Sequence, residues 1–157
     1  MSRELVIGSL RAAGVPFVIK PHRAVALTAE TAAEQRGVRV SQIVKCMIAR
    51  SQPGEVVVLL IPGDKTLKLK KARKLMDGRP LALVPPEELA STYEVTIGAI
   101  SPIQFLGKAP IFMDPTVLEE ELVDISSGDP LAGVELASKE LCEFLKAEIA
   151  DIISTRS

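Results

Sequence analysis

Lys45 is the residue best placed to do chemistry. It stands inside the apolar run Ile43-Val44-Lys45-Cys46-Met47-Ile48, bounded by Ser41 and by the turn residues Ser51-Gln52-Pro53-Gly54. The run has β character. Strand side chains alternate between faces, so Lys45 points the same way as Ile43 and Met47. An ammonium on an apolar face is costly to bury unless it meets an anion or a wet cleft. No acid lies within the strand to neutralise it. The plain alternative is a gatekeeper lysine on an edge strand.

Two further segments carry groups that a cleft could use. Thr96-Ile97-Gly98-Ala99-Ile100-Ser101-Pro102-Ile103 is an apolar loop punctuated by Gly and Pro. Gly98 permits a positive φ or a close approach of backbone to ligand, and Pro102 biases Ser101 away from the helical region. Such a loop can hold N–H and C=O groups toward a cleft, or it can be an ordinary turn. The segment from Asp124 to Leu136 reads as a strand, a small-residue loop and a strand. Gly128 and Gly133 bracket a turn with the hydroxyls of Ser126 and Ser127 and the carboxylate of Asp129, which suits a plain hairpin loop as well as a binding loop.

The remaining reactive types are few. His22, the only histidine, has an ordinary pKa suited to general-base work, although Pro21-His22-Arg23 after a strand also reads as a loop contact. Cys46 and Cys142 have no metal-ligand or redox spacing, and alternation sends Cys46 to the face opposite Lys45. Both read as small core hydrophobes, and Tyr93 as a partly buried structural tyrosine. No Ser-His-Asp set or zinc-ligand cluster has local support, so neither cofactor nor metal is expected. Hydrolysis would lean on positioning and electrostatics.

The elements that must position these groups follow from periodicity and punctuation. A helix from Ser2 to Ala13 ends at Gly14, and Val15 to Lys20 reads as a strand. Thr28-Ala29-Glu30-Thr31 starts a second helix that Gly37 ends. Ile43 to Arg50 and Glu55 to Ile61 form a hairpin around Gln52-Pro53-Gly54. A basic helix follows and stops near Gly78, and Pro85-Pro86 opens a short helix. Ile111–Met113, Glu121–Ile125 and Gly133–Ala137 are short strands, followed by a helix from Ser138 to about Ala147. This uneven order does not suit a regular βαβ repeat. It predicts one α/β domain over residues 1–157, with a mixed, barrel-like sheet flanked by helices.

Composition narrows the function classes. Aromatic residues make up only 3% of the chain and Trp is absent, which argues against stacking platforms for single-stranded nucleic acid. The net charge of −1 supplies no global field toward DNA or an anionic membrane. Charge is unevenly placed, however. Six basic residues and no acid lie between Lys65 and Lys74, whereas Glu119 to Asp151 holds ten acids against two lysines. Solvated helix faces account for both clusters. A local phosphate patch at Lys68, Lys70, Lys71 and Lys74 is the functional reading of the first. The amino terminus does not read as a signal peptide and no apolar stretch reaches spanning length, so a cytoplasmic protein with reduced thiols is expected.

In order and spacing the three segments resemble one family. Val44-Lys45-Cys46, Gly98-Ala99-Ile100-Ser101-Pro102, and Ser126-Ser127-Gly128 leading to Gly133-Val134-Glu135-Leu136 look like the YbaK/ProX-type aminoacyl-tRNA deacylases. These are free-standing relatives of the editing domain of bacterial prolyl-tRNA synthetase. Pro21-His22-Arg23 with Thr28-Ala29-Glu30 and Ala33 is similar to the family's opening. The resemblance implies a trans-editing hydrolase that clears mischarged aminoacyl-tRNA, such as tRNA-Pro carrying Cys, Ala or another small amino acid. It implies Lys45 as the functional hallmark and the Gly98–Pro102 loop as pocket wall, with Ser126, Ser127, Gly128 and His22 as further substrate contacts. Aminoacyl-tRNA and prolyl-tRNA synthetase are the implied partners. Some relatives that clear alanine place a histidine in the last pocket strand region, and none lies between Ser126 and Leu136 here. Gln104 stands where many relatives have glycine. Two other readings keep the same fold: a non-catalytic tRNA- or synthetase-binding adaptor, and a small-ligand regulator using the Lys45 cleft. Both enzyme and regulator require Lys45, Gly98 and Ser126 to share one concavity.

Overall fold

A computed structural model describes residues 2–51, 54–93 and 95–155. The elements are α1 (Ser2–Ala12), β1 (Val18–Pro21), α2 (Ala29–Arg36), β2 (Val44–Ser51), β3 (Val56–Pro62), α3 (Leu69–Leu75), β4 (Leu81–Leu83), α4 (Pro86–Tyr93), β5 (Ile111–Met113), β6 (Leu122–Asp129), β7 (Ala132–Ala137), α5 (Ser138–Leu145) and β8 (Glu148–Ile149). Single 3-10 turns stand at Val40–Gln42, Pro102–Phe105 and Pro115–Glu119. Local chemistry sets several of these boundaries. Thr28 and Thr31 form a reciprocal capping box at the start of α2, and Gly37 closes it in the left-handed conformation. Pro86 opens α4, where a missing N–H costs nothing. The Gln52-Pro53 part of the hairpin turn lies outside the described residues.

The strands form two sheets. One has three antiparallel strands in the order β1-β7-β6, and the other has five in the order β4-β2-β3-β5-β8. In the second, β2 is antiparallel to β3 and β4, while β3-β5 and β5-β8 are parallel. The five-stranded sheet is therefore mixed, as expected, while the three-stranded one is purely antiparallel, and the two do not close into a barrel. Among the described residues a single parallel bridge, Ile43 to Asp124, joins them. It cannot extend along Ile43, whose amide is already given to Val40 and whose carbonyl receives Gly63. The outer strands β4 and β8 are three and two residues long, and neither pairs with the other sheet.

Even-numbered residues of β2 face the main core. Val44 and Ile48 pack with Val58 and Leu60 of β3, Val123 and Ile125 of β6, Val134 and Leu136 of β7, and Val6 and Leu10 of α1. The opposite face of β2 and β3, with Ala49, Val57, Leu59 and Ile61, packs on Ala72 and Met76 and on Ile152. A small cluster of Ala26, Ala32, Ala33 and Ile43 seats α2 beside the three-stranded sheet.

Three sequence expectations change. The small-residue segment is not a loop: β6 continues through Ser126, Ser127 and Gly128 to Asp129, with a register shift between Ser126 and Asp129. Serine hydroxyls supply bonds that the irregular ladder loses, since Ser127 Oγ donates to the Ala132 carbonyl at 2.6 Å and Ser126 Oγ accepts the Gly128 amide at 3.2 Å. The basic helix is shorter than its charge run, because Lys68 is extended and its amide bonds the Ile152 carbonyl. The two-residue β8 and three-residue β4 carry too little pattern to be read as strands.

Candidate functional site

A cleft of about 420 Å³ opens along the free edge of β2, within the size range of small-molecule sites. One wall is Ile43 to Met47 with Gly63. The facing wall is Ala26 to Glu30 with Ala32 and Arg36, and Gly98, Ile100 and Ser126 complete it. Lys45, Gly98 and Ser126 thus share one concavity. A convex edge position for Lys45 is excluded.

The hydrogen-bond register of β2 explains what this edge offers. The Gly63 amide donates to Ile43 at 2.7 Å and the Ser51 amide to Glu55 at 2.8 Å. With Lys45 opposite Ile61 and Met47 opposite Leu59, the odd-numbered residues spend their backbone groups on β3. Even-numbered residues point the other way. Ile48 receives the Val84 amide, but β4 pairs only with Ala49 to Ser51. The register therefore turns the amide and carbonyl of Cys46, a cleft-lining residue, away from β3 and beyond the reach of β4. The Cys46 side chain packs on the main core, and burial pushes its thiol up to about 12, which makes it a poor nucleophile.

Lys45 lies on the face of β2 that carries Met47 and Ala49. Its Nζ donates to the Lys65 carbonyl at 2.6 Å, and among the described residues it forms no ion pair. A neutral carbonyl thus holds one of the three ammonium hydrogens and leaves the charge uncompensated.

Gly98 adopts φ +83, and a Cβ there would lie 2.5 Å from Cδ2 of Leu27. The backbone conformation favours glycine, and any side chain would also have to push aside the exposed end of Leu27. Of the loop that follows, only Ile100 also lines the cleft. Ala99, Ser101 and Pro102 are buried behind it. Ser101 caps the 3-10 turn that Pro102 opens: its Oγ accepts the Ile103 amide, and its own amide donates to Gln104 Oε1 at 2.8 Å. Gln104 therefore stiffens the loop from below. Ser127 and Gly128 are buried in the irregular end of β6, and neither lines the cleft. Tyr93 packs its ring on Phe105, 5.4 Å between centroids.

His22 also lies outside the lining. Its Nδ1 is 3.0 Å from the Pro130 carbonyl, and its Nε2 is 2.9 Å from Nε of Arg36. A carbonyl only accepts and a guanidinium only donates, so Nδ1 carries the hydrogen and the ring is neutral. Burial lowers its pKa, the Pro130 contact opposes this, and the Arg36 charge lowers it further. Its one lone pair is committed to Arg36 and is not free for base catalysis.

Behind Arg36 is a polar patch that the sequence reading did not assemble. Asp124 and Glu135 are directly opposed across β6 and β7, and Lys20 of β1 reaches Glu135 at 3.6 Å. Asp124 is fully buried; among the described residues its carboxylate oxygens accept from no N–H or hydroxyl donor, and its carboxyl meets that of Glu135 closely enough for a hydrogen bond when one of the two is protonated. Burial raises its pKa, and Glu135 adds to this, while Arg36 and Lys20 pull the other way. A signal for Arg36 was present: it is three and four residues past Ala33 and Ala32, so it shares their inward face. Among the described residues no group of three potential metal ligands is clustered.

Comparison with known proteins agrees with this geometry. The model of the aminoacyl-tRNA editing domain matches residues 23–144, and the chain belongs to that family. It is 30% identical over 117 residues to the uncharacterized protein YwhH of Bacillus subtilis, covering 74% of each chain. It is 25% identical over 126 residues to a protein of Enterococcus faecalis named "Putative Cys-tRNA(Pro)/Cys-tRNA(Cys) deacylase EbsC", covering 80% of this chain and 77% of that one. A solved structure described as "a putative trans-editing enzyme for prolyl tRNA synthetase" superposes with a TM-score of 0.84 at 30% identity, covering 98% of this chain and 97% of the other. The single α/β domain, with one mixed and one antiparallel sheet and flanking helices, has the editing-domain fold.

Proposed function

We propose that this protein is an aminoacyl-tRNA deacylase that acts in trans on tRNA mischarged with a small amino acid, and that residues 1–157 form one editing domain. The observation that carries the reading is an ammonium with no counter-ion among the described residues, in the cleft that also holds Gly98 and Ser126. Family membership and the names of its relatives support it.

In this reading Lys45 takes the ester carbonyl or the phosphate of the terminal nucleotide. The free Cys46 amide lies on the same edge and can donate to the carbonyl oxygen as charge develops on it. Gly98, Ile100 and Ser126 line the part of the cleft that receives the amino acid. Water adds to the ester carbon, the bond to the ribose oxygen breaks, and that oxygen leaves with a proton as the free hydroxyl. No side chain of the cleft is a nucleophile with an adjacent base, so water is positioned rather than replaced. The neighbouring ribose hydroxyl of the tRNA is the nearest group able to relay the proton. Prolyl-tRNA synthetase is the partner that the named relatives suggest.

The test is a deacylation screen against tRNAs charged with cysteine, alanine, serine and threonine, with Lys45→Ala as control. Release of one small amino acid well above the spontaneous rate, lost in the variant, is the expected result. No release from any of them overturns the enzymatic reading.

A further inference from the structure

Two cations line the cleft, Lys45 and Arg36, and among the described residues neither is paired with a carboxylate. The proposed hydrolysis uses the first and leaves the second unexplained. Arg36 is the last residue of α2, half-buried, and its guanidinium lies across Gly133. A Cβ on Gly133 would stand 2.2 Å from Cζ and Nε and 2.7 Å from Nη1. Glycine at 133 is thus the space the guanidinium occupies.

The group is held from behind by neutral acceptors. Nε donates to the imidazole of His22 at 2.9 Å, and Nη1 to the Ile125 carbonyl at 3.3 Å. His22 is itself locked by Pro130 in the tautomer that presents a lone pair. Among the described residues Nη2 makes no hydrogen bond. Asp124 is near enough for its charge to be felt, but it forms no ion pair with Arg36, and its carboxyl is turned to that of Glu135. Glu30, the one acid of the lining, is exposed and forms no ion pair with Arg36. A guanidinium keeps its charge when buried, and buried charges call for an anion. Two neutral struts fix its plane, and one N–H edge remains unused.

We infer that Arg36 is a second anion-binding residue of the cleft, receiving on Nη2 an oxyanion of the ligand other than the group Lys45 holds. The inference rests on the cleft being an aminoacyl-nucleotide site. The oxyanion has two sources on such a ligand: the phosphate of the terminal nucleotide, or a carboxylate on the side chain of the attached amino acid.

Calorimetric titration separates these sources without requiring turnover. The probes are adenosine 5′-monophosphate against adenosine, and the hydrolysis-resistant 3′-aspartylamido- against 3′-alanylamido-3′-deoxyadenosine. Wild type is compared with Arg36→Gln, and with Gly133→Ala, whose Cβ displaces the guanidinium while leaving the arginine in place. At least a tenfold loss of affinity for the monophosphate, with adenosine unchanged, supports the inference and assigns the phosphate. The same loss confined to the aspartyl probe supports it and assigns the side-chain carboxylate. Equal weakening of all four probes, no weakening of any, or no binding of either anionic probe by wild type at millimolar concentration overturns it. Anion binding that depends on Arg36 in a protein that deacylates no charged tRNA would defeat the proposed function and leave this inference standing.

Discussion

At the scale of single residues, the two positions that define the cleft make different demands. Lys45 supplies a charge held by one neutral carbonyl, so Lys45→Ala removes an electrostatic contact without leaving a carboxylate stranded. Deacylation should fall by about 100-fold or more, with a stability cost of about 1–2 kcal/mol from the lost bond to Lys65. Steady-state turnover and thermal unfolding of the same sample check both. A folded variant with near-normal turnover removes Lys45 from the chemistry. Gly98 supplies space and a backbone conformation. Gly98→Ala forces a Cβ into a positive φ and against Leu27, which costs about 1 kcal/mol or more of stability. Because Leu27 itself lines the cleft, the displacement should also raise KM for charged tRNA. Full activity on every charged tRNA tested would take the loop out of the pocket wall.

At the scale of elements, the basic segment divides by what each lysine already does. Lys71 is held by both carboxylate oxygens of Asp151 at 3.0 Å, so it staples α3 to the carboxy-terminal segment. Lys70 and Lys74 are exposed and four residues apart, on one stripe of α3. If this stripe meets the tRNA backbone, Lys70→Glu with Lys74→Glu raises KM for charged tRNA several-fold and flattens its salt dependence, while hydrolysis of a minimal aminoacyl-adenosine is unchanged. An unaltered KM at low salt returns the stripe to a solvated helix face. Elements with strong local signals were legible in the sequence. The Thr28 cap, the Gly37 stop, the β2–β3 hairpin and the face of Lys45 all follow from turn chemistry and alternation. What was not legible depends on long-range pairing. Serine hydroxyls that serve a bulge look like loop residues until the Ala132 carbonyl is brought to Ser127. The joining of Arg36 to the cleft needs α2 and β7 side by side, which no local pattern contains. Ala99, Ser101 and Pro102 read as pocket residues because they share a motif with Gly98, but a 3-10 turn buries them and exposes only their neighbours.

At the scale of the whole molecule, two sheets share one core and, among the described residues, meet along the ladder at one point, Ile43 with Asp124. The residue at that junction is the fully buried acid whose carboxyl faces Glu135 and, among the described residues, accepts from no N–H or hydroxyl donor. Burial, then the facing Glu135, raises its pKa, against the opposing pull of Arg36 and Lys20. His22, the other titratable group beside Arg36, is held neutral. A carboxyl whose folded pKa exceeds its unfolded value binds protons more tightly in the folded chain. Its stabilising contribution is complete below the unfolded pKa and is lost as pH rises through the folded one. The junction should therefore weaken from mildly acidic pH toward alkaline pH, opposite to the trend of an ion-paired surface carboxylate. Asp124→Asn keeps the size of the protonated acid and removes the titration. Denaturant unfolding at pH 5 and pH 8 should show wild type losing about 1–3 kcal/mol more than the variant over that interval, at roughly 1.4 kcal/mol for each unit of pKa shift. Identical pH dependence in the two proteins would mean that Asp124 is ionised in the folded state across this range and that Arg36 and Lys20 together offset its burial.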